Sequence, residues 1–259
     1  MIEYQYEGHL IHYDTLGQGR PLVLLHGFME DSSIWSNVSK TFSKSFEVIV
    51  IDLPCHGKSR FNGDNCSMIL MSTLVDQLLH HLNLSEPIVI GHSMGGYVGL
   101  ELAKIRNIDL ILLHSNFWDD PEEKKKDRNR VIELVQQKKD HFISESIPGL
   151  FAEENKAKCV ADIASLIKSA QELPSREIAA ATAGMRDRSN NAEIAENNGL
   201  VIIQGEHDPI ISDQKLREEL ALLEQPPEVI VLPNCGHMSM WEAPEALLTA
   251  IKKAIKSRN

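Results

Sequence analysis

Six short apolar runs constrain the fold of this 259-residue chain more than any other feature. They are Pro21-Leu22-Val23-Leu24-Leu25, Phe46 to Ile51, Pro87 to Ile90, Ile108 to Leu113, Leu200 to Ile203, and Val229 to Leu232. Each is bounded by Gly, Pro or Asp, and most do not alternate with polar residues. Strands buried on both faces of a parallel sheet read this way, because neither face meets water. Between the runs lie helical spacings, such as Met71, Leu74, Val75, Leu78, Leu79 and Leu82, and later Leu247, Leu248, Ile251, Ala254 and Ile255. Strand–helix alternation of this kind predicts an α/β fold: a mostly parallel, twisted, doubly wound sheet with helices on both faces. Tyr4 to Tyr13, around Gly8, predicts a polar antiparallel hairpin at the sheet edge.

One interval breaks the rhythm. Residues 114–199 separate two strand runs, which is too long for a loop. Val131, Leu134 and Val135, then Val160 to Ile167, then Ile178 to Met185, give its middle a helical character. We expect a helical insertion over 116–188 and a core domain built from 1–115 and 189–259. The charged stretch from Glu122 to Arg130 reads as a solvated helix face.

The formal charge of −11 argues against nucleic acid and anionic membranes as partners, since both need clustered Lys and Arg. The N-terminal residues lack a basic stretch followed by an apolar one, so a signal peptide is not expected. No apolar run approaches the ~20 residues that span a bilayer. Four scattered cysteines, with no C-x-x-C pair, suit reduced thiols in the cytoplasm. No motif implies an organic cofactor or a metal.

The sharpest local signal is Gly91-His92-Ser93-Met94-Gly95. It follows a buried strand and opens a helix, the context in which G-x-S-x-G presents a nucleophilic serine on a strained turn. A serine hydroxyl needs a base. His237 lies in the loop after the last strand, and Asp208 in the loop after the strand before it. The order Ser93, Asp208, His237 is the order of this nucleophile-elbow class, with the carboxylate orienting and stabilising the imidazole. Asp119 and Asp120 are the alternative acids. The backbone N–H groups of Met94 and Phe28 are the expected oxyanion donors; losing one such donor typically costs ~10²–10³ in rate. His26 reads as a structural hydrogen-bonder, and His207 as a solvent-facing neighbour of the acid.

Four features in order resemble the α/β-hydrolase superfamily: His26-Gly27-Phe28, Asp52-Leu53-Pro54-Cys55-His56-Gly57-Lys58-Ser59, Gly91-His92-Ser93-Met94-Gly95-Gly96, and the pair Asp208/His237. Cys55 stands where the family's second block has its first Gly. The ending His237 to Pro244 is similar to that of small capped esterases. The resemblance implies an α/β-hydrolase fold in which 116–188 forms a helical cap. It also implies a serine hydrolase cleaving a small carboxylic ester or related acyl substrate. Ser93 at the elbow sets the chain apart from the dehalogenases and epoxide hydrolases of this fold, which carry Asp there. Phe117, Trp118, Phe142, Phe151 and Met185 are candidate substrate contacts, of which at most half are expected to line a pocket. Two other readings are a C–C bond hydrolase of β-diketone-like substrates with the same three residues, and a ligand receptor without turnover.

Overall fold

The structure is a computed structural model that describes residues 1–197 and 199–256. The chain opens with β1 (Ile2–Tyr6) and β2 (His9–Leu16), paired antiparallel with Tyr6 opposite His9. Glu7 and Gly8 between them have φ of 48° and 83°, so a two-residue turn with left-handed backbone joins the strands. Then come β3 (Arg20–Leu25), β4 (Phe46–Asp52), β5 (Ile88–His92), β6 (Asp109–Leu113), β7 (Val201–Gly205) and β8 (Glu228–Leu232). These are the six apolar runs. They join the hairpin in one eight-stranded sheet, ordered β1-β2-β4-β3-β5-β6-β7-β8. β2 meets β4 antiparallel, and every pairing from β4 to β8 is parallel.

The helices are α1 (Ser36–Phe42), α2 (Met68–His81), α3 (Met94–Ala103), α4 (Glu122–Ser146), α5 (Glu153–Lys156), α6 (Val160–Gln171), α7 (Ser175–Arg186), α8 (Ala192–Asn197), α9 (Asp213–Leu220), α10 (Ser239–Glu242) and α11 (Pro244–Lys256). Successive strand residues point to opposite faces, and both faces are covered. Val23, Leu25, Ile49, Ile51, Val89 and Leu112 pack with α2 and α3. Leu22, Leu24, Val48, Val50, Ile90 and Leu113 pack with α1 and α11. That double burial is why the runs lack alternation.

The long interval between β6 and β7 carries α4 to α8. α4 has a non-helical residue at Lys138 (φ −142°, ψ 48°). Just beyond it, Lys139 Nζ donates to the carbonyls of Gln171 (2.6 Å) and Leu173 (2.9 Å) at the end of α6. A cation there satisfies carbonyls that the helix leaves open and suits the helix dipole. Val135 and Ile143 of α4 share a buried cluster with Ile178 of α7 and Leu166 of α6.

The strand order reverses at β3: β4 lies on one side of it and β5 on the other. In open α/β sheets the crevice at the carboxyl ends of such strands is where ligands bind. The loops after β3, β5, β7 and β8 contain Phe28, Ser93, Asp208 and His237.

Candidate active site

β5 ends at His92 and α3 begins at Met94, so one residue makes the turn. That residue, Ser93, has φ 48° and ψ −114°, a conformation a side chain adopts only under strain. The turn is held from behind. Ser93 N–H donates to Leu113 O (3.0 Å), and Ser93 O accepts from Ser115 Oγ (2.7 Å). A Cβ at Gly91 would sit 2.4 Å from Gly95 O, and one at Gly95 would sit 2.4 Å from Leu25 O. Glycine is therefore required at both positions. Met94 opens α3, so its N–H has no carbonyl within the helix to bond.

Asp208 is fully buried at its side chain and uses both oxygens. Oδ1 accepts from the N–H groups of Ile210 (2.8 Å) and Ile211 (3.0 Å). Oδ2 accepts from His237 Nδ1 (2.8 Å) and lies 3.1 Å from His114 Nδ1. Burial alone would raise the Asp208 pKa. Attraction to an imidazolium at His237, whenever that form is present, and the hydrogen bonds from both imidazoles outweigh burial, so the carboxyl is held well below the usual range. Asp208 is thus a carboxylate, and the Nδ1 of His237 carries the proton between them. That leaves His237 Nε2 for a partner in the cavity.

Ser93, His237 and Phe28 all line one cavity of about 500 Å3. Among the described residues Ser93 Oγ makes no hydrogen bond to His237. The series expected from the sequence therefore has its His–Asp link in place, while serine and imidazole share a cavity. Such contacts often tighten only with substrate bound.

Two further buried groups were not legible in the sequence. His114, directly after β6, has φ 47° and is wholly buried. Burial pushes its pKa down to about 4, so it is neutral. Its Nδ1 lies between Asp208 Oδ2 (3.1 Å) and the Gly205 N–H (3.2 Å), and its Nε2 lies 2.8 Å from the Ser239 hydroxyl. The second is an ion pair, Glu30–His92. His92 Nδ1 lies 2.9 Å from Glu30 Oε2, and His92 Nε2 donates to the carbonyl of His237 (3.0 Å). Both partners accept, so the imidazole carries two protons. Burial opposes both charges. The Glu30 charge nonetheless raises the His92 pKa, and the His92 charge lowers that of Glu30. Glu30 Oε2 also accepts from Gly27 N–H (2.6 Å). The pair therefore ties the loop carrying Phe28 to the backbone of His237.

Other expectations sort as follows. His26 is buried: Nε2 accepts from Leu53 N–H (2.9 Å), and Nδ1 donates to Gly27 O (2.8 Å). His207 is exposed near Glu154. Asp120 lies between Arg128 (3.0 Å) and Arg188 (2.8 Å), and Asp119 accepts from Asn190 (3.2 Å). Neither aspartate is the acid bonded to His237. Trp118 and Met185 line the cavity. Phe117, Phe142 and Phe151 do not: Phe117 packs in the core against Trp118, Phe151 stacks on Trp241, and Phe142 packs in the second buried cluster. The run from Glu122 to Arg130 is largely exposed, with Arg128 part-buried, and Lys124 and Arg128 also line the cavity. Cys55, in the family's glycine position, has φ 73° and is buried.

His114, Asp208 and His237 offer ligand atoms within 4.8 Å of one another. Both imidazole Nδ1 atoms point at the same carboxylate oxygen, an arrangement of hydrogen bonds between the three residues. No helix among the described residues is long and apolar enough to cross a membrane.

Two curated relatives each match part of the chain. A soluble epoxide hydrolase from Corynebacterium sp. is 38% identical over 104 residues, 40% of this chain and 36% of that protein. A pimeloyl-[acyl-carrier protein] methyl ester esterase from Nitrosomonas europaea is 34% identical over 36% of this chain and 35% of its own. Such matches span about a third of the relatives' length. Solved structures match nearly end to end. A thermophilic esterase from Thermogutta terrifontis, with malate bound, superposes with a TM-score of 0.89 at 27% identity, over 98% of this chain and 96% of that one. The enol-lactonase from Burkholderia xenovorans superposes at 0.88 and 18% identity, over 98% of this chain and all of that one, which speaks to the fold. A family model matches residues 22–250, from β3 into α11. A sheet with its elbow after β5, shared over nearly its whole length with these structures and with that model, makes this chain a member of the alpha/beta hydrolase family.

Proposed function

We propose that this chain is a serine hydrolase cleaving a small carboxylic ester or related acyl substrate through an acyl-enzyme on Ser93. One observation carries the reading: His237, its Nδ1 bonded to a buried Asp208 carboxylate, lines the same cavity as a serine on a strained elbow. Neutral His237 accepts the Ser93 proton at Nε2 as Oγ bonds to the carbonyl carbon. The N–H groups of Met94 and Phe28 hold the oxyanion. The ester C–O bond breaks, and the leaving alkoxide takes the proton from His237. Water, deprotonated by the same imidazole, then attacks the acyl carbon; the bond to Ser93 Oγ breaks as Oγ takes that proton back from His237, and the acid is freed. A carboxylate at Asp208 favours the imidazolium formed in each step.

In this reading 116–188 is a cap, since Trp118, Leu150 and Met185 from it wall the cavity. Buried, free thiols suit a reducing, cytoplasmic setting. Relatives that act on esters, and an esterase with the same fold, support the ester class.

The test is turnover of p-nitrophenyl acetate and butyrate. We expect many product equivalents per protein, and loss of at least ~10³ of the rate in Ser93→Ala. Release of one equivalent followed by arrest would contradict it, as would a Ser93→Ala protein of undiminished rate.

A further inference from the structure

Resting on that reading, we propose that the acyl part of the substrate carries a carboxylate, bound by Arg128, Arg188 and Lys124. The chain as a whole has a formal charge of −11, yet its cavity wall is cationic. The charged lining residues are Lys124, Arg128, Arg188 and Lys215 against Glu30 and Asp120. Glu30 is committed to His92 and Gly27, and Lys215 to Glu219 on its own helix. What remains among the lining residues is one carboxylate, Asp120, against three cations.

The arginines are held in place. The Arg188 side chain is 3% exposed and its guanidinium lies 4.2 Å from the centre of the Tyr97 ring. Nε donates to Trp118 O (3.2 Å), Nη1 donates to Met185 O (3.0 Å), and Nη1 pairs with Asp120 Oδ1 (2.8 Å). Arg128 Nε donates to Asp120 Oδ2 (3.0 Å). Bridging Asp120 to one arginine would tie the start of α4 to the segment after α7. A second arginine exceeds that structural need and leaves one positive charge uncompensated in a largely buried group. Such a charge is costly unless a partner completes it. Guanidinium presents a planar fork that matches a carboxylate, and here its orientation is set before binding. The rest of the wall, with Phe28, Trp118, Leu150, Met185, Ile210 and Ile211, is apolar. A short acyl chain with a terminal carboxylate suits a cavity of about 500 Å3 whose lining combines these apolar side chains with Arg128, Arg188 and Lys124.

Calorimetric titration of Ser93→Ala protein with monomethyl glutarate and with dimethyl glutarate tests this without turnover. The monoanion should bind at least ~10-fold more tightly than the neutral diester. Adding Arg128→Gln should reduce that preference to within ~2-fold, and Lys124→Gln, at an exposed position, should reduce it by ~2–3-fold without bearing on the fold. Equal or tighter binding of the diester overturns the proposal. So does a preference that survives Arg128→Gln, or no heat from the monoester at millimolar concentration. Turnover of p-nitrophenyl butyrate by the wild type is read separately. Its absence would count against the hydrolase reading, while the titration still decides the anion site.

Discussion

At the scale of residues, the site depends on how many partners each buried group has. Asp208 makes four hydrogen bonds, two from backbone N–H groups and two with imidazoles. Asp208→Asn keeps the shape and removes the charge. We expect it to reduce kcat by ~10³–10⁴ with a far smaller change in KM, measured on the p-nitrophenyl esters. An unchanged kcat would exclude Asp208 as the orienting group. Ser93, Asp208 and His237 could be singled out in the sequence because each follows shortly after a strand, in a known order, with local glycine or proline marking the turn. His114 and Glu30 were not. His114 meets Asp208 only because β6 and β7 lie side by side, and Glu30 meets His92 only because β3 and β5 do. No spacing in the chain encodes those neighbours.

At the scale of elements, the Glu30–His92 pair joins the loop after β3 to the end of β5 and to the His237 loop. The His92 pKa is raised above its ordinary 6.5, so its stabilisation is complete below 6.5 and lost as pH rises through the raised value. The Glu30 pKa is lowered below its ordinary 4.5, so its stabilisation is complete above 4.5 and lost as pH falls through the lowered value. Both therefore act fully between pH 4.5 and 6.5. Urea unfolding of wild type and Glu30→Gln across pH should show a gap of ~3–5 kcal/mol in that window, narrowing on either side. A gap independent of pH would remove the ion pair from the account. The hairpin offers a milder test. Glu7 holds φ 48° at an exposed turn position. Glu7→Asn should raise stability by ~0.5–1 kcal/mol, because asparagine tolerates left-handed backbone better. No upward shift of the urea midpoint would contradict that turn. Strand positions were readable from double burial, and most helices from their spacing. The bend at Lys138 was not, since no Pro or Gly marks it.

At the scale of the molecule, a two-faced sheet buries every cysteine. Cys55, Cys66, Cys159 and Cys235 are all free and buried. In Cys55 and Cys235 the thiol pKa is raised, by the neighbouring Cys66 first in one case and by burial first in the other. Native protein should therefore react with none of its four thiols on Ellman titration over minutes, and with all four in guanidinium. A thiol that reacts in the native state would show that the packing around it opens. The α/β class and the strand sequence were legible at this scale. The cationic cavity was not, because Lys124 and Arg128 lie in a charge-rich stretch and only the fold shows which of its residues border the cavity.

The central claim is that Ser93 Oγ becomes covalently acylated with His237 as its base. The most direct measurement is intact-protein and peptide mass spectrometry after brief exposure to a fluorophosphonate. The account predicts one adduct, on the peptide containing Ser93, absent in Ser93→Ala and formed at least ~10²-fold more slowly in His237→Ala. An adduct on another residue, or labelling of Ser93→Ala at the wild-type rate, would contradict it.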